Sequence, residues 1–287
     1  MPDFLLAHPG WFLTWIGLLG LAVGSFLNVV IHRLPRMLER DWRTECREYL
    51  GLDPETASEP LSLSKPRSRC PSCGHAIAAW QNIPIVSWLL LRGRCAHCET
   101  PISARYPLVE LATALLSLGV AWHFGPSWQT AAGLVFTWVL VALAMIDYDT
   151  QLLPDQLTLP FLWLGLFVNL FAIFTDLRSA VIGAIAGYLV LWLVFQAFRL
   201  VTGKQGMGFG DFKLLALFGA WLGWQMLPQI LLIASLVGAV TGLSLIALRR
   251  HERGKPIPFG PYLAIAGWIA LLWGPAINHA YLRFSGL

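Results

Sequence analysis

Apolar residues in this chain run on over lengths that a soluble helix does not need. Eight such runs stand at 11–31, 106–123, 128–147, 157–174, 180–200, 212–224, 228–248 and 259–277. A bilayer core about 30 Å thick takes about 20 apolar residues per helical crossing. The pattern predicts an all-α polytopic membrane protein of about eight transmembrane helices, the run at 212–224 being the shortest. One long polar stretch, 32–105, separates the first run from the second and contains the loop-like segment 52–69. The chain therefore divides into a first membrane helix (1–31), a small soluble segment (32–105) and a membrane-embedded core (106–287).

Composition agrees with a bilayer as solvent: 56% of residues are hydrophobic and only 13% charged, with a mean hydropathy of +0.62. Soluble domains carry about twice that share of charge. No Lys or Arg precedes the first run, so it lacks the cationic start of a cleavable signal and is expected to stay in the mature protein. Of the 20 Lys and Arg residues, eleven lie in 32–105, three in 199–213 and four in 249–255, leaving Arg178 and Arg283. Basic residues gather in cytoplasmic loops, so this partition predicts an outside amino terminus and a cytoplasmic 32–105. The net charge of +4 is accounted for by topology and gives no reason to expect a nucleic-acid partner.

All five cysteines fall in 32–105, on the reducing side, where disulfides are disfavoured. Cys70-Pro-Ser-Cys73 and Cys95-Ala-His-Cys98 are two CxxC pairs with 21 residues between them, close to the spacing of four-thiolate zinc sites. Cys70, Cys73, Cys95 and Cys98 would close a structural Zn²⁺ site and leave no open position. In a segment with few apolar residues, metal binding would supply much of the folding free energy. A redox dithiol and incidental free thiols are the competing readings. His75 and His97 are taken as loop histidines and Cys46 as an ordinary thiol.

A carboxylate in a membrane helix costs at least about 2.5 kcal/mol on insertion scales, so each needs a reason. Asp147 closes the third run and Asp211 opens the sixth, within Gly208-Phe209-Gly210-Asp211. The charge-derived topology places both at one membrane depth. Two neighbouring carboxyls can share a proton, one acting as base on water while the other protonates the amide. Gly206, Gly208 and Gly210 would let backbone bend and a substrate strand approach. Spacing alone leaves a second reading open, in which both aspartates are helix-end residues, Asp211 being favoured by the helix dipole. For Asp149 and Asp155 helix-start roles are favoured over catalysis, and for Lys213 snorkelling to water.

With these residues placed, the chain resembles the bacterial prepilin peptidases, which process type IV prepilins and the pseudopilins of type II secretion. The resemblance is carried by Gly24-Ser25-Phe26-Leu27-Asn28-Val29-Val30-Ile31-His32-Arg33-Leu34-Pro35, the CxxC pairs and Asn82-Ile83-Pro84 with Ser87-Trp88-Leu89. Arg105-Tyr106-Pro107-Leu108-Val109-Glu110, the segment Asp147 to Asp155 and the GFGD sequence complete it. It implies a GxGD-type aspartyl protease of the bacterial inner membrane, with Asp147 and Asp211 catalytic. It further implies cleavage of a short basic leader at the cytoplasmic face, after a glycine and just before the pilin's apolar helix. Members with the long cysteine-bearing segment also N-methylate the new amino terminus with S-adenosylmethionine.

No GxGxxG follows a strand here, so the methyl-transfer half rests on the resemblance alone. Asn28, Arg33, Gly93 and Glu110 are its candidate residues. Each also has a structural alternative: an interhelical bond for Asn28, a turn for Gly93, neutrality or pairing with Arg105 for Glu110. A proton-coupled transporter would place its charges near midplane in repeated or broken helices. A zinc protease would need HExxH. A membrane scaffold would have no use for the aspartates.

Overall fold

The computed structural model describes residues 8–53, 61–204, 206–247 and 257–285. The basic residues of 249–255 used in the topology argument lie outside them. The described residues are helical, with two isolated antiparallel bridges, Arg69 with Ala76 and Arg94 with Pro101. The chain divides into two compact units, Met1–Pro126 and Ser127–Leu287.

In the first unit, α1 (Pro9–Tyr49) is 41 residues long. At 1.5 Å per residue that is about 60 Å, twice a hydrocarbon core. The helix therefore continues beyond the apolar run, through good helix formers and an exposed Glu39–Arg43 pair of 2.6 Å. A five-residue helix, α2 (Val86–Leu90), follows, and then α3 (Arg105–Phe124).

Contact between α1 and α3 is a small-residue seam. A Cβ on Gly20 would lie 2.8 Å from Ala114 Cα, and one on Gly24 2.7 Å from Glu110 Cα. Glycines four apart let two membrane helices touch backbone to backbone. This seam draws α3 into the first unit, so the division falls at Pro126 and not at 105/106, where the polar segment ends.

The second unit holds α4 (Trp128–Thr150), α5 (Asp155–Asn169), α6 (Leu177–Thr202), α7 (Phe209–Leu222), α8 (Leu227–Ala247) and α9 (Gly260–Ser285). Ser127 caps α4 by accepting from the Thr130 amide, and Asp176 caps α6 by accepting from Ser179. These are the short polar acceptors that helix starts favour.

The helix α7 is buried on every side from Leu214 to Leu222. Gly183 and Gly187 of α6 bring that helix against it: a Cβ on Gly183 would stand 2.5 Å from Gly219 O, and one on Gly187 2.6 Å from Leu215 O. At the far end, Asn169 Nδ2 donates to the carbonyls of Ala220 (2.9 Å) and Trp221 (2.8 Å). The terminal carbonyls that a helix leaves unpaired are thereby satisfied inside the protein.

The fold is that of an all-α multi-pass membrane protein. Helices stand at all eight apolar runs, and six of the described helices are long and apolar enough to cross a bilayer. The other two, α5 (15 residues) and α7 (14 residues), are shorter, about 21–22 Å each, so eight crossings are not confirmed. Helix α7 ends at Gly223, whose φ is 85°.

Candidate functional site

In the first unit the two CxxC turns are copies of one another. The Gly74 amide donates to Cys70 O and the Glu99 amide to Cys95 O, while the Cys70 and Cys95 amides donate to His75 O and Thr100 O. Both turns close on a residue of positive φ, Gly74 (69°) and Glu99 (56°). The four Sγ atoms of Cys70, Cys73, Cys95 and Cys98 lie within 4.8 Å of one another, and Cys70 and Cys98 are 3.7 Å apart.

Metal–sulfur bonds of about 2.3 Å put tetrahedral sulfurs about 3.8 Å apart, so the cluster can hold a metal ion. The side-chain hydrogen bond between Cys98 Sγ and the Thr100 hydroxyl, 3.3 Å, with help from the Thr100 backbone, draws the Cys98 thiol down to about 6. His75 and His97 stack on each other, ring centroids 4.6 Å apart, and Cys46 is exposed on α1.

The four residues named for methyl transfer sit around this segment. Asn28 Nδ2 donates to Tyr106 O at 3.1 Å, linking α1 to α3. The Arg33 guanidinium gathers the loop after α1 by donating to Ser62 O (2.9 Å), Leu63 O (3.3 Å) and Pro66 O (2.7 Å). Gly93 has a φ of 67° and packs on the Trp88 indole, 2.9 Å from where a Cβ would stand. It makes the turn into Cys95. Glu110 is buried and does not pair with Arg105: Oε2 accepts from the Ile85 amide at 2.7 Å, and Ser25 also bonds the carboxyl.

In the second unit, Asp147 lies in the last turn of α4 and Asp211 in the first turn of α7, both buried. The two carboxyls act on one another electrostatically. Asp147 Oδ2 accepts from the Gly260 amide, the first of α9, at 2.9 Å. A Cβ on Gly260 would lie 2.6 Å from that oxygen. Gly260 was not singled out from the sequence, although Gly260-Pro261 at the head of an apolar run is a helix-start signal.

The GFGD glycines divide. None has positive φ, and Gly208 is ordinary extended backbone at φ −81° and ψ 147°. A Cβ on Gly206 would strike the Phe198 ring at 2.7 Å, and one on Gly210 would meet Leu153 Cβ at 2.7 Å. Gly206 and Gly210 are therefore needed for packing. Gly208 alone has room, its nearest neighbour being Asp211 Oδ2 at 3.8 Å. Lys213 pairs with Asp155 at 2.6 and 2.8 Å. Asp155 stands inside α5, whose N-cap position is Pro154.

A multi-pass helical membrane protein with a cysteine cluster in one unit and facing buried carboxyls in the other defines the class. The chain matches the Bacterial Peptidase A24 N-terminal domain over residues 18–124 and the Type IV leader peptidase family over 134–243. It is 60% identical to a prepilin leader peptidase/N-methyltransferase of Pseudomonas aeruginosa, over 99% of this chain and 98% of that one. Proteins of the same description from Aeromonas hydrophila (62%, covering 96% and 97%) and Stutzerimonas stutzeri (58%, covering 99% of each) are similarly close. No solved structure matches. The chain belongs to the type IV leader peptidase family.

Proposed function

We propose that this protein cleaves the leader of type IV prepilins and type II secretion pseudopilins and then N-methylates the new amino terminus with S-adenosylmethionine. The observation that carries the peptidase is the pair Asp147 and Asp211, buried and within electrostatic reach of each other in a membrane protein of this family. Buried carboxyls are costly in lipid and mark a working site; among the described residues neither has a cationic partner.

One carboxyl takes a proton from water as the other gives one to the amide nitrogen, so the pair acts as a unit that shares a proton. The Gly260 amide fixes the face that Asp147 presents. Beside Gly208 the scissile strand has room to approach Asp211. No metal is required for this step.

The cysteine cluster holds structural Zn²⁺. Its four thiolates leave no open coordination position, which removes it from the hydrolysis. Methyl transfer takes place in the first unit, around Asn28, Arg33, Gly93 and Glu110, and S-adenosylmethionine supplies the methyl group. The amino terminus faces outward, and both activities meet the substrate at the cytoplasmic face of the inner membrane, within the lipid bilayer.

The test is a reconstituted assay with a pilin precursor and labelled S-adenosylmethionine, comparing wild type with Asp147→Asn and Asp211→Asn. Each variant should lose at least about 10²-fold in leader cleavage, as loss of a general acid or base does, and still methylate a precleaved pilin. Wild-type cleavage by either variant would end the dyad assignment.

A further inference from the structure

Among the described residues Glu110 has no cationic partner. It lies on α3, 92% buried, and among the described residues its partners are the neutral Ile85 amide at 2.7 Å and the Ser25 side chain. A carboxylate offers about four acceptor positions, so two remain. Burying a charge against neutral donors alone costs more than pairing it.

The bond to Ile85 is itself unusual. Ile85 has φ 60° and ψ −49°, a region a β-branched residue almost never adopts. Such strain gathers where a site is held in shape for binding. Phe26, Ile83, Val86 and Tyr106, which lie within one helical turn in sequence of Ser25, Ile85 or Glu110, are apolar and 43–53% exposed. A buried carboxyl on a segment rich in exposed apolar side chains matches a chain end whose amine heads an apolar helix.

We propose that Glu110 receives the protonated amino terminus of the processed pilin and takes its proton. This rests on the methyl-transfer half of the function above. An ammonium has no lone pair, so the acceptor must lose a proton before it can react. The proton passes from the ammonium to Glu110. The freed amine pair forms the new N–CH₃ bond as the S–CH₃ bond of the sulfonium donor breaks, its electrons staying on sulfur. The products are a methylated ammonium and a neutral thioether, and Glu110 returns its proton to water.

The test uses the full chain in proteoliposomes, with Glu110→Gln beside Glu110→Ala. Gln keeps a carbonyl for the Ile85 amide and loses only the charge. The probe is a synthetic processed-pilin peptide, with a free or an acetylated amino terminus. Wild type should bind the free amine at least tenfold more tightly than the acetylated form. Glu110→Gln should lose that preference and at least a hundredfold in methylation, with donor affinity and leader cleavage retained. If Glu110→Gln keeps both preference and methylation and only Glu110→Ala fails, Glu110 merely caps Ile85 and the proposal falls. Should wild type fail to methylate, the broader reading fails, while the amine preference and its loss in Glu110→Gln still decide this one.

Discussion

The Gly260 amide and the Asp147 carboxylate meet at 2.9 Å across 113 residues of chain. The first amides of a helix have no intrahelical acceptor, and Asp147 supplies one for α9. The contact tolerates no side chain, since a Cβ would stand 2.6 Å from the bonded oxygen. Gly260→Ala therefore has to turn or push the carboxylate. A displacement of about 1 Å at a reacting group costs about 10²-fold. Leader cleavage should fall by that order in kcat with KM little changed, and methylation of a precleaved pilin should stay at the wild-type rate. A variant cleaving normally would show that the orientation of Asp147 is set elsewhere.

Thr100 should set how far into acid the cysteine cluster can hold a metal ion. Its hydrogen bonds draw the Cys98 thiol down to about 6, against about 8.5 for a free cysteine. Protons compete with metal for thiolate, so a lower thiol value lets the site keep its ion further into acid. Thr100→Val removes the hydroxyl bond and raises Cys98, and half-release of zinc on acidification should then occur at a higher pH than in wild type. A chromogenic chelator followed through a pH titration reads this directly. Cys70→Ser should lose the ion at neutral pH and expose 61–104 to protease, with Asp147 and Asp211 unaffected in their own unit.

Much of this was legible beforehand, and the failures have physical causes. The lengths of the apolar runs announce helices at all eight stretches, and two CxxC turns announce a cluster because ligand spacing is local. Asp147 and Asp211 stand out because charge is rare in apolar sequence. Three things were not readable. The carbonyls at the end of α7 are satisfied by Asn169, some 50 residues away. The continuation of α1 to Tyr49 lies in polar sequence, where the apolar period gives no signal. Gly260 acts through its backbone amide, which every residue but proline possesses, so its identity matters only through the Cβ it lacks.

Lys213 and Asp155 join α7 to α5 by a bidentate contact of 2.6 and 2.8 Å, at 28% and 50% side-chain exposure. Half-exposed pairs contribute at most about 1 kcal/mol. Lys213→Ala should lower the unfolding midpoint slightly and leave cleavage within about threefold of wild type. The double variant with Asp155→Ala should be no less stable than either single one, since the second substitution removes a charge already unpaired. A loss of cleavage as deep as that of Asp211→Asn would mean that Lys213 serves the dyad.

Gly187 tests whether the burial of α7 is what holds Asp211 in place. The α6 backbone reaches α7 only because Gly187 has no side chain, a Cβ there falling 2.6 Å from Leu215 O and 2.9 Å from Ala216 Cα. Those are backbone atoms of a helix capped at its far end, so they cannot swing aside as a side chain would. Overpacking of this kind costs about 1–3 kcal/mol or more. Gly187→Leu should lower the thermal midpoint in detergent, and it should depress leader cleavage because the displaced helix carries Asp211 in its first turn. The packing of α1 on α3 does not involve Gly187, so methylation of a precleaved pilin should survive at temperatures where the second unit is still folded. Equal loss of both activities would show that the two units do not fold independently.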